Sequence, residues 1–279
     1  MDGATYTTQP LERKALIRAS FPSALARGEL TLAYQPQYTL QDNKLIGGEA
    51  LLRWEHDVLG GVSPAEFIPI AEELGLICEV GTWVRQNATR CIAQLPSFIE
   101  DFRIAVNVSP AEFHAARSTP ELWLDSIGNA DVSGRRVGLE ITENALMNDD
   151  RIVADHVTRL REAGVEISID DFGSGFSSLS YVKNFDIDCL KLDKSFVMDM
   201  PDDPRSVAVV RAIINLAHAL GISVVAEGIE TSEQMILLTA LGCDTGQGFF
   251  LGMPQSEEAF LALIRSVSRP TRNLCFGVA

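Results

Sequence analysis

Polar residues able to do chemistry recur along this chain, each just past a short apolar run. Glu49 and Arg53 come first, then Asn107, Glu140 with Glu143, Asp170 with Asp171, Lys191 with Asp193, Glu227 with Glu230, and Gln247. Singly, most have a dull explanation: Asp before Gly is often a turn residue, an Asn can pin a loop, and a Lys can snorkel. Their recurrence is harder to dismiss, because carboxylates that converge on one cavity repel. A like-charged pair about 4 Å apart costs about 4 kcal/mol at an effective dielectric of about 20. Such a cluster calls for a cation. Oxygen ligands from Asp, Glu and Asn favour a hard ion, Mg²⁺ or Mn²⁺, over zinc. The histidines at 56, 114, 156 and 218 fall outside the strand ends, which argues against a His-Asp metallohydrolase. A cluster large enough for two ions, with Lys191 and Arg53 as fixed positive charges, fits phosphodiester hydrolysis. A glycosidase needs only two carboxylates and leaves Lys191, Asn107 and the other acids unexplained.

The stretch SIDDFGSGFSSL, residues 168–179, sets two adjacent acids against a glycine-bearing loop. A protein kinase would pair this Asp-Phe-Gly with a His-Arg-Asp loop and a Val-Ala-Ile-Lys strand, and the chain has neither. A dinucleotide loop would need a third glycine where Ser178 stands. A metal site at a strand end remains, with Gly173 and Gly175 letting the chain turn tightly off the strand.

To bring these residues together the chain must alternate strands with helices. Apolar runs predict strands near 30–35, 45–52, 103–108, 136–141, 165–169, 188–192, 222–226 and 243–249. Helical spacing predicts helices at 11–28 with a break near Pro22, and at 64–74, 79–94, 110–116, 119–128, 149–163, 203–220, 231–241 and 256–266, with a short turn at 178–183. Ser109-Pro110 is a sound helix start, and Gly164, Gly221 and Gly242 stand where left-handed helix ends are expected. Alternation of this kind requires parallel pairing with helices outside. The first two strands are joined by only Thr39 to Lys44, too short for a crossover helix, so that pair is expected antiparallel. The fold class is α/β, a TIM-like (β/α)8 barrel with an antiparallel first strand, whose site gathers at the carboxyl ends of the strands. Residues 1–20 are expected as a partly helical leader or linker, 21–268 as the catalytic domain and 269–279 as a tail.

Composition sets limits. With 38 acidic and 23 basic residues, the net charge of −15 disfavours nucleic-acid polymers. Five cysteines without a Cys-x-x-Cys spacing suggest neither a disulfide framework nor a zinc knuckle. The N-terminus lacks a secretory signal, and the most apolar long segment, Val207 to Val225, is interrupted by Arg211, Asn215 and His218. A cytoplasmic location without membrane contact is expected, although a longer parent protein could be membrane-anchored.

Glu49-Ala-Leu-Leu-Arg-Trp54 resembles the signature of the EAL family of cyclic di-GMP phosphodiesterases. The resemblance continues through Tyr34-Gln-Pro36, Asn107-Val-Ser109, Leu139-Glu-Ile-Thr-Glu143, the DDFGSGFSSL run at 170–179, Lys191-Leu-Asp193, Ala226-Glu-Gly-Ile-Glu230 and Gln247-Gly248. It covers roughly residues 25–265 in order, which makes it specific. The resemblance implies metal-dependent hydrolysis of cyclic di-GMP to linear pGpG: water attacks phosphorus in line and the ribose 3′ oxygen leaves. Carried over, Glu49, Asn107, Glu140 and Asp170 hold one Mg²⁺ or Mn²⁺, and Asp170, Asp171 and Glu227 the second. Lys191 polarises the attacking water, and Glu227 helps deprotonate it. Gln35, Arg53, Gln247 and Asp193 fall on the substrate side. Glu143, Gly173, Gly175 and Glu230 anchor the loop after the Asp-Asp strand. It also implies a homodimer and an upstream sensor or GGDEF domain in a longer parent. Departures are slight: Ser174 and Phe176 stand where Thr and Tyr are common, and the segment after Gln247 is less polar than in many relatives. The alternative is a catalytically silent cyclic di-GMP receptor, as in relatives that have lost ligands; here none is missing.

Overall fold

The computed structural model describes residues 10–95, 99, 102–115, 118–128, 136–146, 151–173 and 185–267. Strands β1 (Leu30–Thr39), β2 (Leu45–His56), β4 (Arg103–Val108), β5 (Val137–Thr142), β6 (Glu166–Phe172), β7 (Cys189–Leu192), β8 (Ser223–Ala226) and β9 (Thr245–Gly246) form a closed ring. β1 runs antiparallel to both β2 and β9, and every other neighbour in the ring is parallel. This is the TIM-like barrel with one reversed strand that the short first connection requires. Two short strands extend it: β3 (Gly60–Val62) pairs with β2, and β10 (Gln255–Ser256) pairs with β1.

The alternation of side chains along each strand decides what faces inward. Ile104, Val106 and Val108 of β4, Val137, Leu139 and Ile141 of β5, and Ile167 and Ile169 of β6 are buried apolar residues. The intervening positions are small or polar: Ala105 and Asn107, Gly138 and Glu140, Ser168 and Asp170. Register aligns these rows, with Glu49 opposite both Gln35 and Ala105, Asn107 opposite Glu140, and Thr142 opposite Asp170. The polar row faces the barrel interior, because its members meet across strands that are not neighbours; Lys191 of β7, for instance, reaches Glu49 of β2.

Helices wrap the apolar face: α1 (Pro10–Ala24), α2 (Pro64–Glu73), α3 (Ile77–Ala93), α4 (Pro110–Phe113), α5 (Pro120–Gly128), α6 (Glu143–Leu146), α7 (Arg151–Glu162), α8 (Lys194–Met198), α9 (Pro204–Ala219), α10 (Ser232–Ala240) and α11 (Glu257–Val267). The expected break near Pro22 is absent, and α1 continues through it to Ala24. Pro22 lies in the last turn, where its missing N–H removes a single bond, while Phe21 and Ala24 are buried. The helix predicted at 110–116 stops at Phe113, and the last barrel strand spans two residues rather than 243–249. α8, β3, β10 and α6 were not expected. The turn predicted at 178–183 and Gly175 lie outside the described residues. Gly164, Gly221 and Gly242 adopt left-handed φ after their helices, as their positions require.

Phe21 stands edge-on to Trp54 at 5.2 Å and stacks on Phe67 at 5.5 Å. The Trp54 indole N–H donates to Glu29 at 2.9 Å. Trp54→Ala is expected to cost about 3–5 kcal/mol through the cavity it leaves. Thermal unfolding should show Tm lower by roughly 10 °C at about 2–4 °C per kcal/mol. The exposed Val58→Ala should leave Tm unchanged.

Candidate active site

Lys191 organises the interior end of the barrel. Its Nζ lies 2.6 Å from Glu227 Oε1, 2.7 Å from Glu140 Oε2, 3.1 Å from Asp170 Oδ1 and 3.5 Å from Glu49 Oε2. The residue is 1% exposed, so the snorkelling explanation fails. Burial opposes its charge, but Glu140, Glu49, Glu227 and Asp170 outweigh that and raise its pKa well above the ordinary lysine value. The surrounding carboxylates hold it as an ammonium.

Glu49 is held from three sides. Asn107 Nδ2 donates to Oε1 at 2.6 Å, Gln247 Nε2 to Oε2 at 2.6 Å, and Lys191 approaches Oε2. Burial works against its ionisation, yet Lys191, Gln247 and Asn107 prevail and lower its pKa. Glu140 goes the other way: burial first, then the charge of Glu49, raise it well above the carboxylate range. Burial pushes Glu227 up to about 7, with Lys191 pulling against the charges of Asp170 and Glu49. Asp171 is raised by partial burial and by Asp170.

Among the described residues, four carboxylates thus surround one buried ammonium, with Asp171 beside them. Asp170, Asp171 and Glu227 each bring an oxygen to within 4.8 Å of the others, a spacing that could hold a metal ion. All-oxygen donors with surplus negative charge fit a hard divalent cation. Asn107 gives its N–H to Glu49, so its carbonyl oxygen is the atom left to hold one.

The backbone is shaped to this purpose. Asp171 has a left-handed φ of 55°, and its N–H donates to Asp170 Oδ1 at 3.0 Å. Gly173 follows at φ 94°, its N–H donating to Glu143 Oε2 at 3.3 Å. A side chain there would meet the Phe196 ring at 2.6 Å, so both conformation and space demand glycine. Asp193 caps α8, accepting from Ser195 N–H at 3.0 Å. Glu230 is exposed, and its own N–H donates to Gln234 at 2.7 Å.

Gln35 is buried, its Nε2 donating to the Gly252 carbonyl at 3.0 Å and its Oε1 accepting from Gln247 at 3.1 Å. Gln37 went unnoticed in the sequence; its Nε2 donates to Gln247 Oε1 at 2.8 Å and fixes that amide's orientation. The signal was its two-residue spacing from Gln35, which puts both on one strand face. Arg53 Nη1 donates to the Leu52 carbonyl at 2.9 Å. It lines a cavity of about 720 Å³ that Asn107, Asp171, Ile68 and Val84 also bound. His56, expected outside the strands, is the last residue of β2, where its Nδ1 accepts from the amides of Val58 and Leu59 at 3.2 Å. It caps a turn.

Residues 18–254 match the family model for the EAL domain. This chain belongs to the EAL domain family. A bifunctional diguanylate cyclase/cyclic di-GMP phosphodiesterase, MucR of Pseudomonas aeruginosa, is 40% identical over 250 residues, 86% of this chain and 35% of MucR. A cyclic di-GMP phosphodiesterase of the same organism is 38% identical over 252 residues, 90% of this chain and 43% of the relative. Among solved structures, the EAL enzyme Bd1971 with cAMP and cyclic di-GMP bound superposes with a TM-score of 0.85 at 36% identity, covering 92% of this chain and 70% of Bd1971. The MucR phosphodiesterase in complex with cyclic di-GMP gives 0.79 at 38% identity, over 88% of this EAL domain and 99% of that chain. The chain spans about a third of the length of the first curated relatives it matches. Among the described residues of the EAL domain, no helix is long and apolar enough to cross a membrane.

Proposed function

We propose that this EAL domain hydrolyses cyclic di-GMP to linear pGpG in the cytoplasm with two divalent cations, Mg²⁺ or Mn²⁺. The observation that carries it is the buried ammonium of Lys191 among Glu49, Glu140, Asp170 and Glu227, beside the Asp170–Asp171–Glu227 cluster. Glu49, Asn107, Glu140 and Asp170 would hold one cation; Asp170, Asp171 and Glu227 the other, with Asp170 shared. Bound there, the cations supply Lewis acidity to the phosphodiester and to the water that attacks it.

The chain's own residues do the rest. Lys191, whose charge the surrounding carboxylates favour, orients the water and opposes the negative charge that builds up on the phosphoryl oxygens. Glu227, with its carboxyl near neutrality, is placed to take the water's proton. Gln35 and Arg53 grip the dinucleotide, Gln247 stands on the substrate side at the metal–water cluster beside Glu49, and the adjoining cavity of about 720 Å³ is of ligand-pocket size. Glu143 holds the turn at Gly173 and so the angle of Asp170 and Asp171. Homodimer formation and control by an upstream sensor or diguanylate cyclase module belong to the same reading; the bifunctional name of MucR supports the diguanylate cyclase module.

Incubation with cyclic di-GMP and Mg²⁺ or Mn²⁺, followed by chromatography, should yield pGpG. Calorimetry showing tight binding of the dinucleotide without product would overturn the enzymatic reading in favour of a receptor.

Cation binding should also release a proton. In the cation-free protein Glu227 is half protonated at about pH 7. Only the carboxylate form ligates, so affinity is full well above pH 7 and falls as pH drops through it. The slope should be at least tenfold per pH unit, because Glu227 gives up a proton to the cation and Glu140, raised well above the carboxylate range, must lose one as well. Mn²⁺ titrations between pH 6 and 8.5 measure this; an affinity flat across that range would contradict the assignment of Glu227.

A further inference from the structure

Behind Asn107 lies a buried ion pair that the proposed chemistry does not use. Glu112, in α4, is 2% exposed and Arg85, in α3, likewise 2%. Arg85 Nη1 donates to Glu112 Oε2 at 2.8 Å. The guanidinium also lies over the Trp123 ring, 4.5 Å from its centroid. A buried pair of this kind is a weak source of stability, since desolvation of both charges offsets their attraction. Its geometry points to another role.

The second oxygen of Glu112 accepts the N–H of Ser109 at 3.3 Å, closing a capping box around the start of α4. Ser109 is two residues beyond Asn107, at the point where β4 becomes α4. Its hydroxyl donates to Glu72 of α2 at 2.5 Å. The segment carrying Asn107 is therefore tied to α3 through Glu112 and Arg85, and to α2 through Ser109. α3 is shaped to admit the tie: a Cβ at Gly81 would lie 2.1 Å from Glu112 Oε2. An N3 glutamate in a capping box needs only its own helix, so burial against an arginine from another helix is a specific addition.

We infer that Arg85 and Glu112 are positioning residues that fix the Asn107 carbonyl oxygen at its cation site. The inference rests on the proposed cation binding by Glu49, Asn107, Glu140 and Asp170. The partner chain of contacts is Arg85 to Glu112, Glu112 to the Ser109 amide, and from there along two residues of backbone to Asn107. Partners standing behind metal ligands typically contribute about 10–100-fold in affinity.

The test is a Mn²⁺ titration of the full chain followed by the electron paramagnetic resonance signal of free Mn²⁺, which needs no turnover. In Glu112→Gln one of the two binding events should weaken about tenfold, at the low end of that range, while the other stays at its wild-type value. Arg85→Lys keeps the charge but loses the fork and the ring contact, and should weaken the same event by a smaller factor; it serves if Glu112→Gln does not fold. Glu112 also lines the cavity of about 720 Å³ beside Asn107, so the deciding readout is the Mn²⁺ titration, which needs no substrate. Asn107→Ala should weaken the same event, and adding Glu112→Gln to it should bring no further loss, because both act through one carbonyl. Variants with a lowered Tm but both Mn²⁺ affinities intact, or a double variant whose losses add, would overturn the inference. Wild-type protein that binds no Mn²⁺ would overturn the cation reading and this inference with it.

Discussion

Lys191→Met is expected to lower kcat by about 10³-fold, within the range ascribed to a positioned charge or proton-handling group, without weakening cation binding. Methionine nearly matches the buried stem in volume, so packing is kept. What disappears is the ammonium that, among the described residues, lies within 3.5 Å of Glu49, Glu140, Asp170 and Glu227. Two consequences follow from its sign. Water loses the positive group that orients it, so turnover falls. A cation entering the same carboxylates no longer meets a fixed positive charge, a repulsion of about 4 kcal/mol for unit charges roughly 4 Å apart at an effective dielectric of about 20. Mn²⁺ affinity should therefore be equal or tighter. Steady-state kinetics at saturating Mn²⁺ together with a binding titration separate the two effects. A variant that loses turnover only because it loses Mn²⁺ would show that Lys191 organises the site and takes no part in the reaction.

Asp170→Asn is expected to abolish turnover by removing the ligand common to both proposed cations. The change is conservative for the fold. An asparagine oxygen can still accept the Asp171 N–H, now bound by Asp170 Oδ1 at 3.0 Å, so the left-handed turn at Asp171 is kept. The lost charge bears on Lys191, 3.1 Å away, and on Glu227 and Asp171. With one negative charge fewer, the pKa values of Glu227 and Asp171 should fall while cation affinity falls with them. That opposition is diagnostic: repulsion is relieved, yet binding is lost. Turnover should drop by about 10³-fold or more, the scale expected when an electrostatic contribution of about 4 kcal/mol is removed, with Tm close to wild type. Retained activity at raised Mn²⁺ would mean that Asp170 is not shared.

The legible part of this molecule was what period two and connection length control. The link from Thr39 to Lys44 is too short for a crossover, and β1 is the reversed strand. Alternation along β4, β5 and β6 set Asn107, Glu140 and Asp170 on one face, and Lys191 follows the same parity. Other features depend on contacts between distant positions. That Lys191 is centred among Glu140, Glu49 and Glu227 cannot be read from their spacing, since barrel closure alone brings them together. Glu112 reads locally as an ordinary capping-box residue; only packing of α3 on α4 buries it against Arg85. Pro22 reads as a break because a ring inside a helix removes a bond, but burial of Phe21 and Ala24 outweighs that loss in a last turn. β9 is two residues long, and its propensity signal spread over seven because the following loop is also apolar.

Hydrolysis of cyclic di-GMP in H₂¹⁸O, with product mass measured, tests the central claim most directly. In-line attack by water with departure of the ribose 3′ oxygen places one ¹⁸O on the 5′ phosphate of pGpG. Linear pGpG carrying a single label at that phosphate, formed only when Mg²⁺ or Mn²⁺ is present, is the predicted result. Intact cyclic di-GMP recovered from folded, Mn²⁺-loaded protein, or a product without the label, would contradict it.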